Sequence, residues 1–127
     1  MMRTKEQIKR EILAAIDRRA EQIIRLGEQI GRHPELGFKE VKTAHLVEET
    51  FARLGLVPRT GLALTGVRAE ARGSADGPTL GLLGELDGLV VSDHPLADPA
   101  TGAAHACGHN AQIAGLLGAA MGLVEAQ

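Results

Sequence analysis

Several residue types that announce a function are scarce in this chain. It has no Trp or Tyr, and two Phe bring aromatic content to only 2%. A base-stacking platform for single-stranded nucleic acid needs more rings than that. The one cysteine, Cys107, excludes an intramolecular disulfide, which accords with a reducing compartment. Neither sign of charge dominates: 14 Lys and Arg stand against 16 Asp and Glu, for a formal net charge of -2. That balance offers no electrostatic handle for nucleic acid or an anionic membrane. The longest apolar run, Ala111 to Val124, is shorter than the roughly 20 residues that cross a bilayer. The N-terminus, MMRTKEQIKREILAA, is charged and has no apolar signal core. These absences set three expectations: a cytoplasmic location, no nucleic-acid partner and no membrane.

What is present is the material of one modest domain, 127 residues with 44% hydrophobic and 24% charged side chains. Thr4 followed by Gln7 reads as a capping box. The apolar residues Ile8, Ile12, Ile16, Ala20, Ile23, Leu26 and Ile30 then step by three and four. One long amphipathic helix ending near Gly31 is expected. After HPELGF, the residues Val41, Ala44, Val47, Phe51 and Leu54 repeat that spacing, with Gly55 placed as a C-cap. The period then changes to two, since Val67, Ala69 and Ala71 alternate with Arg68, Glu70 and Arg72. GSADGP reads as a turn and TLGLLGEL as a strand covered on both faces, the two strands forming a hairpin. Asp87 to Gly108 reads as a long functional loop. The last helix, from about His109 to Glu125, is apolar on every side, with Gly115, Gly118 and Gly122 permitting close approach. Such a helix needs neighbours all round. The expectation is an α/β architecture of two helices, then strands, a long loop and a buried helix, as the N-terminal part of a larger domain or as an obligate oligomer.

Cys107 and His109 form a C-x-H pair where the loop enters the last helix. Thiolate and imidazole are ligands that zinc-like metals favour, and helix N-terminal amides help hold a thiolate ionised. Spacing alone equally permits a buried small cysteine and a polar residue at a helix start. Asp87 is expected at a strand's C-terminal end, with Glu85 pointing to the same side. A carboxylate there can orient a metal-bound histidine through its second ring nitrogen or bridge two metals; a solvated Asp-Gly turn is the plainer reading. His45 is expected on the surface and His33 in the interhelical turn, while His94 and His105 lie on the loop within reach of a site.

With these residues in view, the chain resembles the aminoacylase family of dinuclear-metal amidohydrolases and peptidases. The similarity is greatest to the branch with hippurate hydrolase, indole-acetyl-amino-acid hydrolases and aminobenzoyl-glutamate hydrolase. HPELGF, GPTLGLLGELDGL and HACGHNAQIAGLLGAA match in order, the last most specifically. The resemblance implies a zinc-exopeptidase-like (phosphorylase/hydrolase-like) three-layer catalytic domain, of which residues 1–127 are a part, with the lid or dimerisation domain absent. It implies that Cys107 and His109 ligate a divalent metal, manganese or zinc, one of two in the complete enzyme, and that Asp87 is the catalytic carboxylate. Glu85 stands where many zinc peptidases of the family carry a histidine, and Asn110 replaces a common aspartate. The implied reaction is metal-assisted hydrolysis of the amide bond of N-acyl amino acids or small peptides, with a glutamate from a later acidic pair shuttling the proton. No acidic pair follows His109, so this segment alone is expected to be inactive. Two rival readings are a non-enzymatic metal-binding or assembly fragment that oligomerises through exposed apolar surfaces, and Cys107 as a nucleophile with His105 or His109 as base.

Overall fold

The Thr4 capping box forms as the residues suggest. Thr4 Oγ1 accepts from the Gln7 N–H at 3.2 Å, and the Thr4 N–H donates to Gln7 Oε1 at 2.7 Å. Two donors that a helix start leaves unsatisfied are thereby paired. In the computed structural model, which describes residues 3–127, this cap opens α1 (Lys5–Arg18). The single long helix is corrected to two, because α2 (Ala20–Arg32) begins after a break at Arg19, where φ is -102° and ψ 7°. No Gly or Pro marks the break. The Arg19 N–H is shared between the carbonyls of Ala15 and Ile16, and its guanidinium, with that of Arg18, binds the Glu125 carboxylate at the far end of the chain.

α3 (Val41–Arg53) is capped from a distance at its start. The Glu35 carboxylate, in the HPELGF turn, accepts from the N–H groups of Lys42 and Thr43 at 2.9 and 2.8 Å and from Thr43 Oγ1 at 2.9 Å. The negative charge also suits the positive end of the helix dipole. At the other end Gly55 adopts a left-handed φ of 79°. The Gly55 N–H donates to Ala52 and the Leu56 N–H to Phe51, closing a Schellman turn in which both Leu56 and Phe51 pack into the core.

The first hairpin pairs β1 (Arg59–Leu62) with β2 (Gly66–Arg68), antiparallel, through a turn in which Ala63 and Leu64 both have positive φ. The alternating strand expected at Val67 to Ala71 is therefore present only at its start, and it pairs with the segment before it rather than with TLGLLGEL. That second expected strand is also corrected: residues 79–86 form no ladder among the described residues. Leu80, Leu82 and Leu83 are 87%, 64% and 91% exposed. A strand exists through its partner's hydrogen bonds, and here the apolar pattern has none to pair with. The expected long loop is corrected in turn, since it contains a short antiparallel pair, β3 (Leu89–Val90) with β4 (Ala103–Ala104). Its connection is gathered by Asp98, whose Oδ1 accepts from the Ala100 and Thr101 N–H groups and from Thr101 Oγ1. The bonds from Thr101, more than that from Ala100, hold the Asp98 carboxyl below the usual carboxylate range.

α4 (His109–Glu125) lies along α1 and α2 and supplies Ile113, Leu117 and Met121 to a core completed by Leu26, Ile30, Val47 and Phe51. Close approach depends on Gly118 and Gly122: a Cβ at Gly122 would stand 2.9 Å from Ile16 Cγ1 and 3.1 Å from the Ile12 carbonyl oxygen. Gly115 has nothing within 4 Å and plays no such part. Nor is α4 enclosed on every side, because Ala111, Gln112, Gly115 and Leu123 are exposed. The helix is apolar all round, while the described residues cover one face. No helix is long and apolar enough to cross a membrane.

Candidate metal centre

His109 is the first residue of α4, and the residue before it decides how the chain arrives. Gly108 sits at φ 96°, ψ 16°, a left-handed conformation that favours glycine. From this corner the His109 ring enters a cleft between two carboxylates. Its Nδ1 lies 2.9 Å from the Asp87 carbonyl oxygen and 3.1 Å from Asp87 Oδ1. Both partners are acceptors, so Nδ1 carries the hydrogen. Nε2 faces Glu85 Oε2 at 3.0 Å. Glu85 is an acceptor too, so both ring nitrogens face acceptors; a cation approaching Nε2 would displace that contact while Asp87 keeps hold of Nδ1. The His109 side chain is 14% exposed, against 31% for Asp87 and 64% for Glu85.

Glu85 is held from α4 itself, since its N–H donates to Gln112 Oε1 at 2.6 Å. Asp87 is placed by a second lock. The Gly88 N–H donates to the Glu35 carbonyl at 2.7 Å, and Leu36 and Gly88 form an isolated parallel bridge. A Cβ at Gly88 would lie 2.9 Å from the Ala104 carbonyl oxygen and 3.4 Å from Pro34 Cβ. HPELGF, LDG and Ala104, the residue just before HACGHN, thus converge at one glycine. Asp87 lies two residues before β3 and does not close a strand, contrary to the expected strand end; Glu85 and Asp87 do share a side, one at each nitrogen of His109. Sequence reasoning passed over Gly88 and Glu35. Asp-Gly also suits a solvated turn and nothing near Glu35 in sequence marks it, so only their partners reveal their roles.

Cys107 is a free, exposed thiol two residues before His109. His105 is different: both of its ring nitrogens are buried without a hydrogen-bond partner. Burial, and then the nearby His109, push its pKa below the usual histidine value, with Asp87 and Glu35 opposing. His94 is occupied in its loop, where Nδ1 accepts from the Leu96 N–H at 3.1 Å. His33 caps the end of α2, its Nδ1 2.9 Å from the Gln29 carbonyl oxygen, and His45 lies exposed between Glu48 and Glu49. Asn110 contacts α2, donating from Nδ2 to the Gly27 carbonyl at 3.2 Å. A hollow of about 460 Å3 lies elsewhere, bordered by Leu56, Arg59, Arg68 and Arg72 and by none of the residues around His109.

Thiol, imidazole and carboxylate are donors that zinc and manganese accept, so the set fits a divalent metal in kind. In number it falls short: among the described residues no group of three or more His, Cys, Asp or Glu is arranged to hold one. Among the described residues, the two ring nitrogens of His105 are the buried side-chain polar atoms left without a hydrogen-bond partner.

No family model and no solved structure matches the chain. Among curated proteins, thermostable carboxypeptidase 2 of Saccharolobus solfataricus is 39% identical over 107 residues, covering 81% of this chain and 27% of its own length. The N-acyl-L-amino acid amidohydrolase of Geobacillus stearothermophilus is 33% identical over 120 residues, 92% of this chain and 31% of the relative. The N-acetyl-L-cysteine deacetylase of Bacillus subtilis is 33% identical over 109 residues, 84% and 26% respectively. The chain spans less than a third of the length of each. By sequence it belongs to the aminoacylase family of amidohydrolases, IAA-amino acid hydrolases and carboxypeptidases.

Proposed function

We propose that this chain is the N-terminal part of a three-layer α/β catalytic domain that hydrolyses the amide bond of N-acyl amino acids or small peptides with the help of a divalent metal. The names of its relatives, a carboxypeptidase, a deacetylase and an N-acyl amino acid amidohydrolase, support the reaction class. The observation that carries the site is the His109 ring, held by Asp87 at Nδ1 and directed by Nε2 toward Glu85, with the Cys107 thiol two residues away. In this reading Cys107 and His109 supply the chain's ligands to manganese or zinc. A bound metal supplies Lewis-acid polarisation of the scissile carbonyl and lowers the pKa of water. Asp87 holds His109 in the tautomer that presents Nε2, and Gly88 keeps Asp87 in register. Glu85 is the group that must yield Nε2 when a cation approaches.

Two protein ligands are fewer than a catalytic metal requires. In this reading the chain alone is inactive, because its two ligands need others to complete the metal's coordination.

The test is alkylation of Cys107 by iodoacetamide with and without zinc or manganese. Protection that is lost in His109→Ala supports shared ligation. Alkylation unaffected by either metal refutes the ligand role and leaves Cys107 as an ordinary thiol.

A second reading, an assembly fragment, is favoured by the exposed Leu80, Leu82 and Leu83. Light scattering separates the two: a closed oligomer of fixed size supports assembly, and a monomer refutes it.

A further inference from the structure

Asn110 stands directly after the metal-ligand candidate, yet its side chain is engaged with another helix. Its Nδ2 donates to the Gly27 carbonyl at 3.2 Å. The seat is cut to its shape. A Cβ at Gly31 would fall 2.9 Å from Asn110 Nδ2, and a Cβ at Gly27 would meet Ala114 Cβ at 3.1 Å. Two glycines one turn apart on α2 thus open the slot that receives the first turns of α4. The bond also needs a donor: an amide supplies hydrogens to a carbonyl, whereas an ionised aspartate is acceptor-only. Gly31 is buried and Asn110 half-buried, so water does not freely replace the lost bond.

We propose that Asn110 is a positioning residue for His109. The Asn110–Gly27 bond anchors the first turn of α4 to α2 and so sets the His109 ring against Asp87. On this account the asparagine is matched to Gly27 and Gly31 rather than to a substrate. Its meaning for catalysis rests on the proposed role of His109 as a ligand, while the tie itself belongs to the metal-free protein.

The experiment is nitrogen-correlated NMR of the histidine side chains in the full, metal-free chain, with the His109 Nδ1–H identified by its disappearance in His109→Gln. In Asn110→Ala the protected resonance is lost to exchange. In the isosteric Asn110→Asp, which keeps the side chain's size and so the fold, it is lost as well. Gly31→Ala, which leaves Asn110 in place and pushes its amide aside, produces the same loss. Gly122→Ala, near the other end of α4 where that helix packs on Ile12 and Ile16 of α1, lowers stability and leaves the resonance intact. A His109 signal that survives in Asn110→Asp, or that Gly122→Ala removes equally, overturns the proposal. Zinc affinity measured on the same variants separates the two readings. Loss of the resonance in a protein that never binds zinc upholds the tie and refutes the ligand role of His109.

Discussion

Changing glycine to alanine at three places on α4 has three different consequences, each set by what a new methyl meets. Inside a helix the substitution stabilises by about 1 kcal/mol, because alanine loses less backbone freedom on folding. At Gly115, with nothing within 4 Å, that term stands alone. At Gly122 the methyl arrives 2.9 Å from Ile16 Cγ1, 3.0 Å from Ile12 Cγ2 and 3.1 Å from the Ile12 carbonyl oxygen. Two of these atoms belong to stiff β-branched side chains and one to backbone, so the helices must separate. Overpacking of this kind costs about 1–3 kcal/mol, leaving a net loss of up to about 2 kcal/mol after the propensity gain. Gly118 falls between, because its nearest neighbour at 2.9 Å is Ile23 Cδ1, the far end of a side chain that can rotate. Thermal denaturation followed by circular dichroism reads the series. For a chain of this length about 1 kcal/mol moves Tm by roughly 4 °C. Gly115→Ala then melts a few degrees above the parent protein and Gly122→Ala several degrees below it. Equal shifts for the two would refute the packing geometry assigned to the helix interface.

Three further outcomes follow from the same contacts. Leu117 is fully buried, so Leu117→Ala lowers unfolding free energy by about 2–5 kcal/mol in urea titration; a smaller loss would mean that α4 is not the centre of the core. The Glu125 carboxyl is held below its usual range by hydrogen bonds from Arg19 and then Arg18. Its contribution is complete above pH 4.5 and fades as pH falls through the lowered folded value, so Glu125→Gln flattens the acid limb of the stability curve; an unchanged limb would remove this clasp from the account. His105 is pushed below 6.5 chiefly by burial. The unfolded chain binds its proton more readily, so stability rises with pH through the window below 6.5 and levels off above it. A midpoint for the His105 ring by NMR at or above 6.5 would contradict the burial.

The sequence by itself determined the features that depend on a few neighbouring residues. Thr4 and Gln7 cap α1, Gly55 closes α3, and α4 begins at His109, because capping and periodicity act within a turn or two of chain. The chemistry of HACGHN and ELDG was legible for the same reason: donor types and spacing are local properties. Tertiary structure decided whatever needed a partner from far along the chain. The break at Arg19 carries no Gly or Pro, and its guanidinium finds Glu125. β2 took the strand before it, and TLGLLGEL took none, since alternation shows which face of a strand is apolar and not which neighbour supplies the hydrogen bonds. Glu35 caps α3, Asn110 ties α4 to α2, and Gly88 locks Asp87 beside His109, yet none of the three differs in sequence from a surface polar residue or a turn glycine. The physical reason is common to all of them. A side chain's type states which bonds it can make, and only the folded chain brings up the atom that completes them.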